Sequence, residues 1–352
     1  MKCYLNNKSL NFPILFLKNI HNMLDAKQAL SISLLNGQAS SNTFLNNCFV
    51  DVKHDEKEEK ANENKEYLFT EFDSKILSSA HINFLFGAGV NGKAFPQLDG
   101  FVETVEILKE YDSEYKNFES TINKLDDEIR KKIYDSFKKE FKENEVNINY
   151  DCQTIKNISN MFISINKLIE QSENRTKTTK QVNIFTLNYD NIIENVLEHL
   201  GYLYNSVAYS NFANHDRFFD MIGYNNKYQK FVPTYLIMKL HGNIEEPIFP
   251  GMNKYNEALQ RKHFSLIFTL KEKLLRYNSV LFVIGYSGHD EHINEILSDC
   301  IANGLTIYWF KYRKDDFIPE QLKNKIIEIE NKDIPIDMTQ LCGEMINELW
   351  KK

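Results

Sequence analysis

The sequence lacks clustered cysteines. Its five cysteines are scattered along the chain, at Cys3, Cys48, Cys152, Cys300 and Cys342. Because a structural zinc ribbon needs neighbouring thiolates, this spacing excludes one. Separated thiols are typical of proteins in a reducing compartment, so we expect a cytoplasmic protein that binds no metal.

Long apolar runs and a surplus of positive charge are also missing. The strongest apolar run, Val280–Tyr286, is far shorter than the roughly 18 residues that a membrane-spanning helix needs. No small-residue cleavage site follows the N-terminal apolar stretch Phe12–Leu17, which argues against an export signal. Lysine and arginine number 42 against 49 acidic residues, giving a net charge of −7. We therefore expect that the protein neither associates with a membrane nor binds nucleic acid directly.

The chain divides into three parts by pattern. Its 352 residues allow one large domain or two modest ones. Residues 1–75 form an N-terminal extension of unclear fold, with the charge run His54–Glu66 as a solvated loop and Tyr67–Phe72 as a short strand. We expect the main domain to span residues 76–315 and a helical tail to span residues 316–352.

Short apolar segments alternate with helical ones in the main domain. The predicted strands are His81–Phe86, Val182–Leu187, Tyr235–Leu240, Ser279–Gly285 and Leu305–Tyr312. A helical module is inserted at about residues 101–180, and the apolar spacing from Phe118 to Phe141 predicts one long helix within it. Apolar strands alternating with helices are typical of a parallel sheet covered on both faces. We predict an α/β fold with a Rossmann-like parallel sheet.

The first candidate loop follows the strand His81–Phe86. Residues Gly87–Gly92 fit G-x-G-x-x-G, in which glycine lets backbone N–H groups approach a pyrophosphate closely. A plain glycine turn is the alternative. A dehydrogenase would next show a second strand ending in an acidic residue, and the helical pattern that follows argues against hydride transfer.

Two further strand ends carry polar groups. Asn188 and Asp190 follow the strand Val182–Leu187, at the edge of the sheet where such folds bind ligands. Asp190 would alternatively form an Asx turn that caps the next helix. His241 follows the strand Tyr235–Leu240, where an imidazole can shuttle a proton, although a lone histidine is more often structural.

The fourth candidate loop, Gly285–Asp290, follows the most apolar strand. Ser287 and the backbone amides suit contact with a phosphate or a ribose. Asp290 is also a candidate N-cap of the helix Glu291–Ile301. The two roles are compatible.

Taken together, the four loops resemble the sirtuin-like family of NAD-consuming proteins. The resemblance rests on GAG at Gly87–Gly89, T-x-N-x-D at Thr186–Asp190, K-L-H-G at Lys239–Gly242 and G-Y-S-x-x-D at Gly285–Asp290. It covers roughly residues 80–312, with the helical module inside it. It implies an NAD site between a Rossmann-like sheet and a smaller helical module.

The resemblance also implies roles for individual residues. Asn188 would position a water and the nicotinamide ribose, Asp190 would support that loop, and His241 would be the general base. The residues expected to hold the dinucleotide are Gly87, Ala88, Gly89, Val90, Asn91, Gly285, Ser287 and Asp290.

Departures from the protein-deacetylating sirtuins narrow the predicted function. The four zinc-binding cysteines of those enzymes are missing, Asn91 stands in place of a serine, and the stretch Lys93–Gln97 holds no arginine. In lacking these features, the sequence resembles the bacterial sirtuin-like effectors of phage defence, which destroy NAD. We therefore predict an NAD⁺ hydrolase that releases nicotinamide and ADP-ribose.

Other functions and the means of control stay open. One alternative is an NAD-dependent protein deacylase, and another is a non-catalytic module that senses NAD or ADP-ribose. Because an unrestrained NAD hydrolase would kill its host, we expect a homo-oligomer or a regulatory partner to control it. A ring-shaped ATPase or an Argonaute-type partner is implied by the resemblance alone.

Overall fold

The computed structural model describes residues 3–5, 8–10, 71–112, 114–207, 220–248, 261–313, 316–330 and 337–348. The chain forms two compact units, 1–63 and 64–352. In the first unit, strands β1 (Cys3–Leu5) and β2 (Lys8–Leu10) form an antiparallel hairpin. The charge run His54–Glu66 lies outside the described residues.

Seven strands of the second unit form one parallel sheet in the part of the chain that the structure describes. In chain order they are β3 (His81–Phe86), β4 (Gln181–Thr186), β5 (Leu203–Val207), β8 (Thr234–Lys239), β11 (Ser279–Ile284), β12 (Thr306–Phe310) and β13 (Ile327–Ile329). Their order across the sheet is β13-β12-β11-β3-β4-β8-β5. The predicted α/β fold with a Rossmann-like parallel sheet is confirmed.

Four short strands lie outside this sheet. They form two antiparallel pairs, β6 (Gly223–Asn225) with β7 (Lys230–Val232), and β9 (Gly242–Asn243) with β10 (Glu246–Pro247). The second pair follows strand β8 directly, so it fixes the path of the chain just after His241.

Helices cover both faces of the sheet. They are α1 (Glu71–Leu77), α2 (Val102–Tyr111), α3 (Phe118–Ile122), α4 (Asp127–Val146), α5 (Gln153–Gln171), α6 (Ile192–His199), α7 (Arg261–Leu274), α8 (Glu291–Ala302) and α9 (Met338–Glu348). One apolar core lies between the sheet and helices α1 to α6 and α9, and a second lies between the sheet and helices α7 and α8. Burial on two faces explains why strand β11 consists almost entirely of apolar residues. None of the described helices is long and apolar enough to cross a membrane.

The long helix predicted from Phe118 to Phe141 is two helices. Helix α3 ends at Ile122, and α4 begins at Asp127. Asp126 separates them because its side chain accepts a hydrogen bond from the N–H of Ile129 at 2.9 Å, which caps the start of a new helix. The apolar spacing continues across the break because both helices pack into the same core.

The C-terminal segment also differs from the expectation of a purely helical tail. Residues 316–352 contain helix α9, but they also supply strand β13, which pairs with β12 at the edge of the sheet. Helix α9 packs closely on α5, where a Cβ added to Gly343 would lie 3.0 Å from the Cα of Met161. The segment therefore completes the sheet and one of its covering layers.

Candidate functional site

The direction of the chain across the sheet reverses between β3 and β11. From β3 the chain adds β4, β5 and β8 on one side, and then it returns to place β11 on the other side of β3. Ligands of open α/β sheets bind beyond the carboxyl ends of the strands at such a point. The loops that begin at Gly87 and Gly285 follow these two strands.

These two glycine loops touch each other through their backbones. The N–H of Gly89 donates a hydrogen bond to the carbonyl of Gly285 at 3.0 Å. A Cβ on Gly285 would lie 2.2 Å from the nitrogen of Val90, and a Cβ on Gly87 would lie 2.4 Å from the oxygen of Gly285. Gly285 also has a φ of +69°, which favours glycine. Close approach therefore explains these glycines better than a plain turn does.

Asn91 joins the first loop to the loop after β4. Its buried side chain donates from Nδ2 to Oδ2 of Asp190 at 2.7 Å. The other oxygen of Asp190 accepts from the N–H of Ile192 at 3.0 Å, which is the predicted Asx turn. Asp190 thus supports its own loop and also anchors the glycine loop.

Burial is the largest influence on the Asp190 carboxyl, and it raises the pKa of this group above its usual range. The hydrogen bonds from Ile192 and Asn91 and the ammonium of Lys239 act in the opposite direction. Both carboxyl oxygens of Asp190 thus accept hydrogen bonds from the protein, and its predicted catalytic role stays a prediction.

Asn188 contacts the first glycine loop directly. Its Nδ2 donates to the carbonyl of Gly87 at 3.3 Å, and its backbone N–H donates to Oγ1 of Thr186 at 3.1 Å. The half-buried side chain therefore lies against the loop that follows the neighbouring strand. Two independent links, through Asn188 and through Asn91, connect the ends of β3 and β4.

Lys239 is a site residue to which the sequence analysis gave no role of its own. Its buried Nζ donates to the carbonyl of Asp190 at 2.6 Å and to Oδ1 of Asn191 at 2.8 Å, and it lies 3.1 Å from Oε1 of Glu194. Lys239 thus connects the end of β8 to the loop after β4. A lysine within an apolar strand is the signal that could have identified it, because lysine is almost never fully buried unless it is paired.

His241 is buried at the end of β8, and the fourth loop reaches it. Its Nε2 lies 3.8 Å from Oδ1 of Asp290, and its ring centre lies 6.0 Å from that of His292. Asp290 occupies the predicted N-cap position of α8, but its side chain accepts no capping hydrogen bond. The predicted N-cap position of Asp290 is confirmed, although its side chain does not make the hydrogen bond of a cap.

Tyr286 holds the fourth loop in shape. Its hydroxyl accepts from the N–H of Asp290 at 3.2 Å and donates to Oδ1 of Asn294 at 2.9 Å. Asn294 in turn donates from Nδ2 to the carbonyl of Gly288 at 2.8 Å. Ser287 is exposed, so its hydroxyl is accessible to a ligand at this loop.

The helical module contacts two of the four loops. Oε1 of Glu145 on α4 accepts from the backbone N–H of Asn191 at 3.2 Å and from its Nδ2 at 3.0 Å. On the same helix, the hydroxyl of Tyr134 donates to the carbonyl of Ile244 at 2.9 Å. Helix α4 therefore borders the loops that carry Asn188 and His241.

The structure brings the predicted loops together in pairs. Gly89 contacts Gly285, Asn188 contacts Gly87, and His241 faces Asp290. Binding of a dinucleotide by these loops, including Ala88, Val90 and Ser287, stays a prediction. Among the residues that the structure describes, no group of three or more His, Cys, Asp or Glu side chains is placed to hold a metal ion.

One family model matches part of the chain. Residues 182–330 match the family model described as a SIR2-like domain. The match runs from β4 to β13, and the first glycine loop lies outside it. A search of curated proteins finds no match.

Two solved structures of Sir2 proteins are similar to this chain. One is described as a structural basis for the mechanism and regulation of Sir2 enzymes. It is 12% identical, covers 79% of this chain and 95% of its own, and gives a TM-score of 0.40. The other, a Sir2 homologue–NAD complex, is 12% identical, covers 82% and 97%, and gives a TM-score of 0.42. The family model therefore supports the sirtuin-like resemblance for residues 182–330.

Proposed function

We propose that the protein hydrolyses NAD⁺ to nicotinamide and ADP-ribose. The observation that carries this proposal is the contact between the loops of Gly87 and Gly285 at the point where the strand order reverses, with Asn188 bonded to Gly87. The SIR2-like domain match favours NAD-dependent activity in general. Hydrolysis is the specific reaction that we infer.

Two features of the loops fit a dinucleotide. The first is the close backbone contact of Gly87 and Gly89 with Gly285, which places two glycine loops side by side at the ends of two strands. The second is Oδ1 of Asn91, which is buried and has no hydrogen-bond partner among the described residues. Because Nδ2 of Asn91 is bonded to Asp190, Oδ1 is left to accept from an N–H or O–H group of a ligand.

The reaction breaks the bond between the nicotinamide nitrogen and C1 of the ribose. The bonding electron pair leaves with nicotinamide, positive charge develops on the sugar, and a water oxygen forms the new bond to C1. His241 would take the proton that this water loses, which is general-base assistance worth about 10²–10⁴ in rate. Asn188 would orient the water and the ribose, while Asp190 and Lys239 hold its loop in place.

The proposal predicts that His241→Ala and Asn188→Ala each lower the rate of nicotinamide release by about a hundredfold or more. Nicotinamide is measured by chromatography after incubation of the purified protein with NAD⁺, and unfolding curves verify that each variant folds. His199→Ala and Asn205→Ala are the matched controls, because both side chains are exposed and neither residue belongs to the four loops. Parent rates in both site variants would contradict the proposed roles.

The same preparation separates the two alternatives. A protein deacylase would release nicotinamide only when an acetyl-lysine peptide is added, and the peptide would lose its acetyl group. A sensor module would bind NAD⁺ or ADP-ribose without turning it over. Neither result is expected.

We also propose that assembly or a partner controls the activity, in keeping with an effector of phage defence. The support is physiological, because unrestrained hydrolysis of NAD⁺ would kill the host cell. The expected result is a low resting rate that rises on oligomerisation or on addition of the products of neighbouring genes. Mass photometry that shows a fully active monomer would contradict this regulation.

A further inference from the structure

A carboxylate and two imidazoles lie together where β8 ends and α8 begins. Asp290, His241 and His292 are 8%, 5% and 6% exposed. The Asp290 carboxylate is 3.8 Å from Nε2 of His241, which is the distance of an ion pair rather than of a hydrogen bond. Because all three groups are buried, their charges interact through less water than charges at the surface do.

Rigid elements hold both members of the pair. The carbonyl of His241 accepts from the N–H of Ile248 at 2.8 Å, across the β9–β10 hairpin. That hairpin begins at Gly242, which has a φ of +78° and where a Cβ would lie 2.3 Å from the carbonyl oxygen of Glu246. On the other side, the hydroxyl of Tyr286 fixes the backbone of Asp290. The short distance between the two groups is thus built into the fold.

Asp290 occupies a position at which an aspartate usually caps its helix, yet its side chain does not do so. Its Oδ1 faces His241 instead. Asp290 was predicted to bind the dinucleotide and to cap its helix, and neither role explains this orientation.

We propose that Asp290 is a positioning residue that orients the His241 imidazole and stabilises its protonated form. The inference rests on the proposed hydrolysis of NAD⁺, in which His241 takes a proton from the attacking water. Asp290 stays ionised throughout, and its negative charge opposes the positive charge that the imidazole gains. The proton then passes from His241 to solvent after nicotinamide has left.

Two titratable groups that lie near His241 come from the segment that begins helix α8. Asp290 precedes α8, and His292 lies in its first turn. Lys239, two residues before His241, turns its Nζ toward Asp190 and Glu194. A second protonated imidazole at residue 292 would compete for the same carboxylate, so His292→Gln tests which histidine Asp290 serves.

The direct test is the titration of His241 measured by NMR of the histidine C2 protons in the full chain. The signals are assigned by comparing the parent protein with His241→Gln and His292→Gln. An opposite charge within about 4–6 Å raises a histidine pKa, so Asp290→Asn should lower the pKa of His241 by about 1 unit or more. Asp299→Asn on the same helix is the control, because its carboxylate is exposed and pairs with Lys271, and it should leave His241 unchanged.

A second measurement follows the rate of nicotinamide release against pH. In Asp290→Asn the rise of the rate on the acid side should move to lower pH, and the plateau should fall about tenfold or more. Asp290→Glu keeps the charge and should restore the position of the rise. A fall in the plateau without any movement of the rise would show a merely structural role and would overturn the proposal.

The two measurements separate this inference from the proposed function. An unchanged His241 titration in Asp290→Asn, or a change confined to His292, overturns the positioning role whether or not the protein hydrolyses NAD⁺. If Asp290→Asn lowers the pKa of His241 as expected, but the parent protein releases no nicotinamide with any candidate partner, the positioning role of Asp290 stands and the proposed reaction is wrong. Should Asp290→Asn fail to fold, Asp290→Ser removes the same charge, and it should lower the pKa of His241 in the same direction. An unchanged His241 titration in that variant would overturn the proposal equally.

Discussion

At the scale of single residues, hydrogen bonds between residues far apart in sequence join the loops of the site, as Asn188 does with Gly87. Asn188, Asp190 and His241 were predicted from their places at strand ends, and the structure puts each at a strand end. Their partners lie far away in sequence, as Asn91 does for Asp190. The apolar pattern of a strand shows where the strand ends. Which loops meet depends on the order of the strands in the sheet, and the apolar pattern does not determine that order.

Gly285 offers a test of the contact between the two glycine loops. Gly285→Ala should destabilise the protein because its Cβ would lie 2.2 Å from the nitrogen of Val90. Gly201→Ala is a matched control, since Gly201 has a φ of +68° against +69° but nothing within 4 Å of the added Cβ. We expect Gly285→Ala to lower the free energy of unfolding by about 1–3 kcal/mol more than the control does. Equal losses in urea unfolding would show that the loops are not in tight contact.

His81, the first residue of β3, predicts a pH dependence of stability. Burial is the main cause that lowers the pKa of His81, to about 4 from 6.5, and the nearby Arg276 and Arg175 add to it. The folded protein therefore keeps His81 neutral while the unfolded chain takes up a proton below about pH 6.5. Its contribution to stability is present above that pH and is lost as the pH falls toward about 4.

The measurement is the urea midpoint at about pH 7 and about pH 5, for the parent protein and for His81→Leu. The midpoint of the parent should fall more between the two conditions than that of the variant. A parent and a variant with the same pH dependence would contradict the lowered pKa of His81.

At the scale of elements, apolar spacing predicts the buried strands correctly. It fails for the strand at the edge of the sheet and for the segment before the first helix. Strands β3, β4, β8 and β11 lie within one residue of their predicted limits, because continuous burial leaves an unbroken apolar run. Strand β5 was missed because it lies at the sheet edge, where its half-exposed sequence Leu203–Val207 contains polar residues. Tyr67–Phe72 was predicted as a strand, but its last two residues belong to helix α1, and residues 67–70 lie outside the described residues.

Lys239 tests whether the end of β8 supports the loop after β4. Lys239→Met would remove the hydrogen bonds to Asp190 and Asn191 and leave the Glu194 carboxylate buried without its cation. Breaking a buried ion pair from one side costs about 3–5 kcal/mol in the free energy of unfolding. We expect a loss of this size from urea unfolding.

The matched control is Lys271→Met, which breaks the exposed pair of Lys271 with Asp299. Exposed pairs contribute about 1 kcal/mol or less, so this variant should remain close to the parent in stability. Comparable losses in the two lysine variants would contradict the supporting role of Lys239.

At the scale of the whole molecule, the candidate site depends on both halves of the sheet. The SIR2-like match covers residues 182–330, whereas the first glycine loop follows β3 and precedes the helical module. The sheet order brings this loop against Gly285, almost 200 residues later in the chain. The sequence could predict a parallel sheet and its candidate loops. It could not predict that α4 borders two of those loops, because the contacts of Tyr134 and Glu145 are made by an otherwise ordinary amphipathic helix.

The most direct test of this account is a crystal structure of the His241→Ala protein with NAD⁺, since an inactive variant should keep the dinucleotide intact. We expect the pyrophosphate against the backbone of the Gly87 and Gly285 loops, and the nicotinamide ribose beside Asn188. NAD⁺ bound elsewhere on the protein, or no bound NAD⁺ at a concentration that saturates the parent, would contradict the central claim.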